Sequence, residues 1–84
     1  MKNEIKKSLE RLIYWEDLAN KTEEAWEADL LNEELEEAFD HYYELEFNEY
    51  IHLIHLLTSF TGMNENSAKQ IINTKREELR AIIA

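Results

Sequence analysis

A chain of 84 residues with one glycine, no proline and no cysteine has too few turn residues for a many-stranded sheet, and no thiol for disulfides, catalysis or metal binding. At 44% apolar and 11% aromatic residues there is enough to bury a core, which excludes disorder and predicts one all-α domain spanning 1–84. The net charge of −10 argues against a direct nucleic-acid ligand, and the longest uncharged run, Tyr50 to Asn64, is too polar for a membrane span or leader, so a cytoplasmic protein without membrane contact is expected.

Ile5, Leu9, Leu12, Ala19, Trp26 and Leu30 recur at spacings of three, four and seven. This is helical periodicity, and it predicts a first helix from about Asn3 to Leu31. Asn20-Lys21-Thr22-Glu23 has capping-box character, so a stop and restart there is an equal alternative. Asn32 is the expected cap of a second helix beginning at Glu33. The early apolar stripe of that helix is Leu35, Phe39 and Tyr42, flanked by Ala38 and Leu45. The later one is Tyr50, Leu53, Ile54 and Leu57, rotated by roughly a quarter turn at ~100° per residue. The rotation implies a kink or new start near Glu46-Phe47-Asn48, or a helix that changes packing partner midway. Tyr50 to Phe60 is apolar on most sides and is the expected centre of the core. Gly62 can take the left-handed conformation that closes a helix. Asn64 or Asn66 then caps a third, with Ala68, Ile71, Ile72, Leu79, Ile82 and Ile83 on its buried side. The expected architecture is a compact bundle of three to four helices with a helix-Gly-helix corner near residue 62. A core this small is also consistent with a homodimer.

The charge is unevenly placed. Residues 1–15 carry +2, residues 16–49 carry fourteen acids against Lys21 alone, residues 50–63 carry none, and residues 64–84 carry +1. On the second helix Glu33, Glu37, Asp40 and Glu44 form one row opposite Leu35, Phe39 and Tyr42, recurring every ~4.5–6 Å along the axis. Glu34 and Glu36 widen the row, and Glu23, Glu24, Glu27 and Asp29 add charge just upstream. Neighbours of like sign at this spacing repel by a few tenths of a kcal/mol per pair, which lysines would have relieved. One reading is a solvated face kept soluble by charge. The other is an anionic row that imitates nucleic-acid phosphates and occupies a basic groove of another protein. In size and charge the chain is similar to small phage-encoded inhibitors of restriction and CRISPR enzymes, among which such mimicry recurs, and to the acidic immunity proteins that plug nucleases. Tyr43, at the edge of the apolar stripe and beside acids, is the aromatic expected to touch a partner.

Two other patterns carry chemistry. Leu57, Gly62, Met63, Ala68 and Ile71 fit a helix-turn-helix whose second helix would present Asn66, Lys69, Gln70, Asn73 and Arg76 to base edges. Any tight helix-glycine-helix corner reproduces that spacing, and a DNA-binding domain normally has a basic footprint. Glu49 and His52 have the Glu-x-x-His spacing of carboxylate-bridged di-metal bundles, and Glu16 and Glu46 interrupt apolar stripes at the same level of a helical hairpin. One such motif per chain would need a symmetric dimer, and a kink at residue 46 accounts for the interruption without metal. No Ser, His and acid come together by spacing, and no glycine-rich phosphate loop exists. The expected function is therefore non-enzymatic, without metal or cofactor. Segment 23–44 docks on a protein with a basic surface, such as a nuclease or other nucleic-acid-binding enzyme. The runner-up is a helix-turn-helix regulator using residues 64–76.

Overall fold

A computed structural model of the chain describes residues 2–84, which form four helices and, among the described residues, no strand: α1 Lys2–Ala28, α2 Glu33–Thr61, α3 Glu65–Thr74 and α4 Arg76–Ile83. At ~1.5 Å per residue α1 and α2 are each about 40 Å long, whereas α3 and α4 reach only ~15 Å and ~12 Å. The molecule is 46 Å long and 21 × 18 Å across. Its length is that of an α1–α2 hairpin, and the two short helices cover one end of it.

The helix ends follow local chemistry. The Asn32 side chain accepts the Leu35 N–H at 3.2 Å and the Asn64 side chain accepts the Ser67 N–H at 2.8 Å, each satisfying a donor that a helix start leaves free. Gly62 closes α2 with φ at +74° and its N–H on the Thr58 carbonyl, a conformation disfavoured for any residue with a Cβ.

The structure decides between the open alternatives at Asn20 and at residue 46, and corrects the expected end of α1 and the expected single third helix. Asn20 does not interrupt α1: the Thr22 hydroxyl donates to the Leu18 carbonyl at 2.7 Å, back into its own helix. Nor does α1 run to Leu31. It ends at Ala28, and Leu30 and Leu31 lie in the turn, 63% and 93% exposed, because the apolar stripe continues in sequence beyond the last residue that a second helix faces. No new helix starts near residue 46, since α2 runs unbroken through Glu46-Phe47-Asn48. The rotation of its stripe reflects the change of packing partner, the first half lying against α1 and the second meeting α3 as well. Finally, the stretch expected as a third helix divides at Lys75, whose backbone leaves the helical region (φ −135°, ψ 45°).

The core lies at the covered end. Ile5, Leu9 and Leu12 of α1 meet Leu53, Ile54 and Leu57 of α2, Ala68, Ile71 and Ile72 of α3, and Leu79 of α4. Ser8, fully buried, donates to Glu49 at 3.2 Å, and the Arg11 guanidinium pairs with the same carboxylate. That carboxylate is only 10% exposed, and Ser8 and Arg11 supply the partners a charge buried to this degree requires. No helix among the described residues is long and apolar enough to cross a membrane.

Candidate functional site

Beyond the reach of the short helices, residues 17–44 form a two-helix arm, and residues 2–16 and 45–84 the body. The arm holds one buried side chain, Ala19. Aromatic pairs hold its helices together instead. Trp15 stacks on Tyr42 at the root (centroids 6.3 Å) and Trp26 stacks on Phe39 further out (6.2 Å), while within α2 Tyr43 leans on Phe39 (6.1 Å). The Trp26 indole N–H is buried there with no acceptor among the described residues.

The predicted acids occupy this arm. Glu33, Glu34, Glu36, Glu37, Asp40 and Glu44 on α2, and Glu24, Glu27 and Asp29 on α1 and in the turn, are all exposed, while Glu23 is half-buried. Helix electrostatics divide them into two groups. Glu33, Glu34 and Glu36 sit in the first turn of α2, where the partial positive charge of a helix start favours a carboxylate by about 0.3–1 kcal/mol. Glu23, Glu24 and Glu27 sit at the other pole, near the end of α1, whose last turn has no basic residue. The helix dipole opposes Glu27, in that last turn, by a similar amount and fades before Glu24 and Glu23, and Glu37, Asp40 and Glu44 gain nothing from it. Local helix stability therefore accounts for three of these acids and not for the rest.

Pairing separates arm from body more sharply. The arm has eleven acids against Lys21, net −10, whereas the body has eight acids and eight basic residues. Among the described residues the arm has one ion pair, Lys21–Asp17 at 2.9 Å on its surface, whose hydrogen bond and charge raise the ammonium above its usual value. The body, with the root, has four: Arg11–Glu49, Lys69–Glu65, Arg80–Glu77 and Arg76–Glu16.

At the root, where arm meets body, lies a cleft of about 200 Å³. Arg76, the first residue of α4, grips Glu16 of α1 with both terminal nitrogens, at 2.6 and 2.7 Å, while its Nε donates to the Ile72 carbonyl at 2.7 Å. Glu46 lines the same cleft and has no hydrogen-bond or ion-pair partner among the described residues. Partial burial, then the Glu16 carboxylate, push its pKa up, and Arg76 only partly offsets them. Tyr43, 57% exposed, Phe47, 52% exposed, and Tyr50 form the aromatic wall.

Comparison of the chain with known protein families, curated proteins and solved structures finds no match.

Most of the remaining sequence candidates are drawn into the body's own pairs, while Asn66, Gln70 and His52 are exposed. Of the five side chains a helix-turn-helix would offer to DNA, Arg76 is held by Glu16, Asn73 donates to the Tyr50 hydroxyl at 3.0 Å, and Lys69 pairs with Glu65 at 3.2 Å. Of the side chains considered for a di-metal centre, Glu49 is taken by Ser8 and Arg11 and Glu16 by Arg76, while His52 is exposed. The described residues gather no three His, Asp or Glu side chains as metal ligands. Phe47 was missed by sequence reasoning, although it continues the Phe39, Tyr43 spacing by four and could have been found on that signal.

Proposed function

We propose that the chain is a non-enzymatic, acidic protein-binding module whose arm docks on a basic, nucleic-acid-binding surface of a partner protein and blocks it. The observation that carries this reading is the placement of the whole net charge on residues 17–44, with one ion pair there among the described residues, while the body is neutral overall and pairs four of its eight acids. Solubility alone needs no such segregation, because charge for that purpose works equally well spread over the surface. Exposed carboxylates a helical turn apart on a protruding two-helix arm, flanked by Tyr43 and Phe47, present charge and aromatic surface together, the combination that interface hot spots use. A cytoplasmic inhibitor of a nuclease or similar enzyme, carried by a phage or mobile element, is the setting in which this chemistry is most useful.

The test begins with capture of proteins from the host cell on the immobilised chain at about 0.1 M and about 1 M salt, between which the screening length falls from ~10 to ~3 Å. Captured proteins are then assayed for nucleic-acid binding with and without the chain. The reading expects a basic protein, held at low salt and released at high salt, whose nucleic acid the chain displaces competitively. A partner held equally at both salts, or one that binds the chain and nucleic acid together, contradicts it.

A further inference from the structure

We propose that the cleft at the root of the arm is a receptor for one arginine side chain of the partner, bound between the Glu46 carboxylate and the aromatic wall of Tyr43, Phe47 and Tyr50. The inference rests on the reading of the arm as a docking element and names the group that its root receives.

Charge complementarity selects the occupant. The cleft holds three charged groups, and the bidentate Arg76–Glu16 pair accounts for two of them. What remains is the single negative charge of Glu46, which Arg76 attracts across the cleft but which has no hydrogen-bond or ion-pair partner among the described residues. An inserted cation supplies the partner that an unpaired, half-buried carboxylate lacks. An anion would meet Glu46 and Glu16 together, and a neutral group would leave Glu46 uncompensated. Size narrows the choice: at about 200 Å³ the cleft is smaller than the ~300–1,000 Å³ of sites for drug-sized ligands and cofactors, and suits one long side chain. The walls choose among cations. Aromatic faces attract a guanidinium through the ring quadrupole and by stacking, and its planar fork matches a carboxylate in a way that a compact ammonium does not. The same wall carries Tyr43 and Phe47, more than half exposed in this structure. The inserted stem would cover them, joining the charged arm to an apolar anchor.

The test uses the intact chain and no partner, so its outcome is separate from that of the capture experiment. Nα-acetyl-arginine amide is titrated in, followed by the NMR signals of Tyr43, Phe47, Tyr50 and the Glu46 carboxylate, with Nα-acetyl-citrulline amide as the isosteric neutral control. Saturable shifts confined to the cleft are expected with arginine, together with a fall in the Glu46 pKa on binding, and none with citrulline. Glu46→Gln should weaken the arginine response about ten-fold, the scale of one charged hydrogen bond, whereas Glu37→Gln with Asp40→Asn should leave it within about two-fold, since both lie in the arm beyond the cleft. Equal responses to arginine and citrulline, an unchanged response in Glu46→Gln, shifts centred on the arm beyond Tyr43, or no response at all would each overturn the site. If the site fails while salt-sensitive capture persists, the arm docks without this anchor. If the site holds and capture fails, the cleft is a guanidinium receptor and the reading of the arm is wrong.

Discussion

The two ends of this molecule are built on opposite terms. In the body, four helices share one core with seven apolar side chains almost wholly excluded from solvent, acids and bases are equal in number, and the Glu49 carboxylate, 10% exposed, has two donors. In the arm, two helices meet along half-buried aromatics, an indole N–H finds no acceptor, and eleven acids face one lysine. The body has the features that make a fold stable; the arm keeps a surface that its own stability does not require. Regions that bind are drawn from the less stable parts of a protein, and the contrast has that direction.

Substitutions in the body should break the contrast most visibly. Leu53 and Leu57 are fully buried, and changing either to Ala should lower global stability by about 2–5 kcal/mol in denaturant titration. A cost below about 0.5 kcal/mol at both would mean that the core is not where the fold places it. Arg76→Ala removes both bonds to Glu16 and leaves Glu16 and Glu46 facing each other across the cleft. We expect a loss of about 2 kcal/mol, the scale of a partly buried, charge-assisted hydrogen-bonded pair, read by thermal melting. No loss would mean that the pair does not tie α4 to α1. In the arm, Leu35 is half-buried, so Leu35→Ala should cost only about 1 kcal/mol. Hydrogen exchange should report most of that as faster opening of the arm, with the slowest amides of the body little changed. Uniform acceleration throughout would show that arm and body open as one unit.

A smaller effect tests the cleft. The pKa of Glu46 lies above its ordinary value of 4.5 because burial and Glu16 penalise its charge. The folded state thus holds this proton more tightly than the unfolded chain, so the contribution is present below the unfolded pKa and is lost as pH rises through the higher folded value. The difference in melting temperature, Glu46→Gln minus wild type, should be positive at pH 7 and shrink as pH is lowered towards the glutamate range. A difference independent of pH would mean that Glu46 is unperturbed.

Much of the architecture was legible in the sequence for identifiable reasons. Asn32 and Asn64 cap the helices they precede, Gly62 closes α2, and Ile5, Leu9, Leu12, Leu53, Leu57, Ala68, Ile72 and Leu79 are buried as their periodicity predicts. What escaped was set by tertiary reach. Leu30 continues the α1 stripe perfectly yet is exposed, since periodicity marks a face and not the point where its partner ends. The break at Lys75 left no trace, because Ile72 and Leu79 are seven apart, the spacing of an uninterrupted helix. At the root, Glu16 and Glu46 were recognisable as polar residues set into apolar stripes. The cation that pairs with Glu16, Arg76, is sixty residues away and is joined to it only by the fold. The acids of the arm were legible as a row, and so was the small charge of the segments around them; that the row stands on an arm apart from the core depends on where the short helices stop.

If the arm's carboxylates serve recognition rather than stability, Glu37→Gln with Asp40→Asn will separate the two roles. Both residues are exposed and opposite the packed stripe, so melting temperature should hold or rise slightly as repulsion is relieved. Affinity for the captured partner should fall, chiefly through slower association at low salt, because long-range charge steers encounter. The same exchange of two glutamates for glutamine at Glu77 and Glu78, in the neutral body, should leave affinity unchanged and lower melting temperature slightly, since both sit in the first turn of α4 and Glu77 pairs with Arg80. Equal affinity in both double variants would contradict the account and leave the acids of the arm as a solvated face.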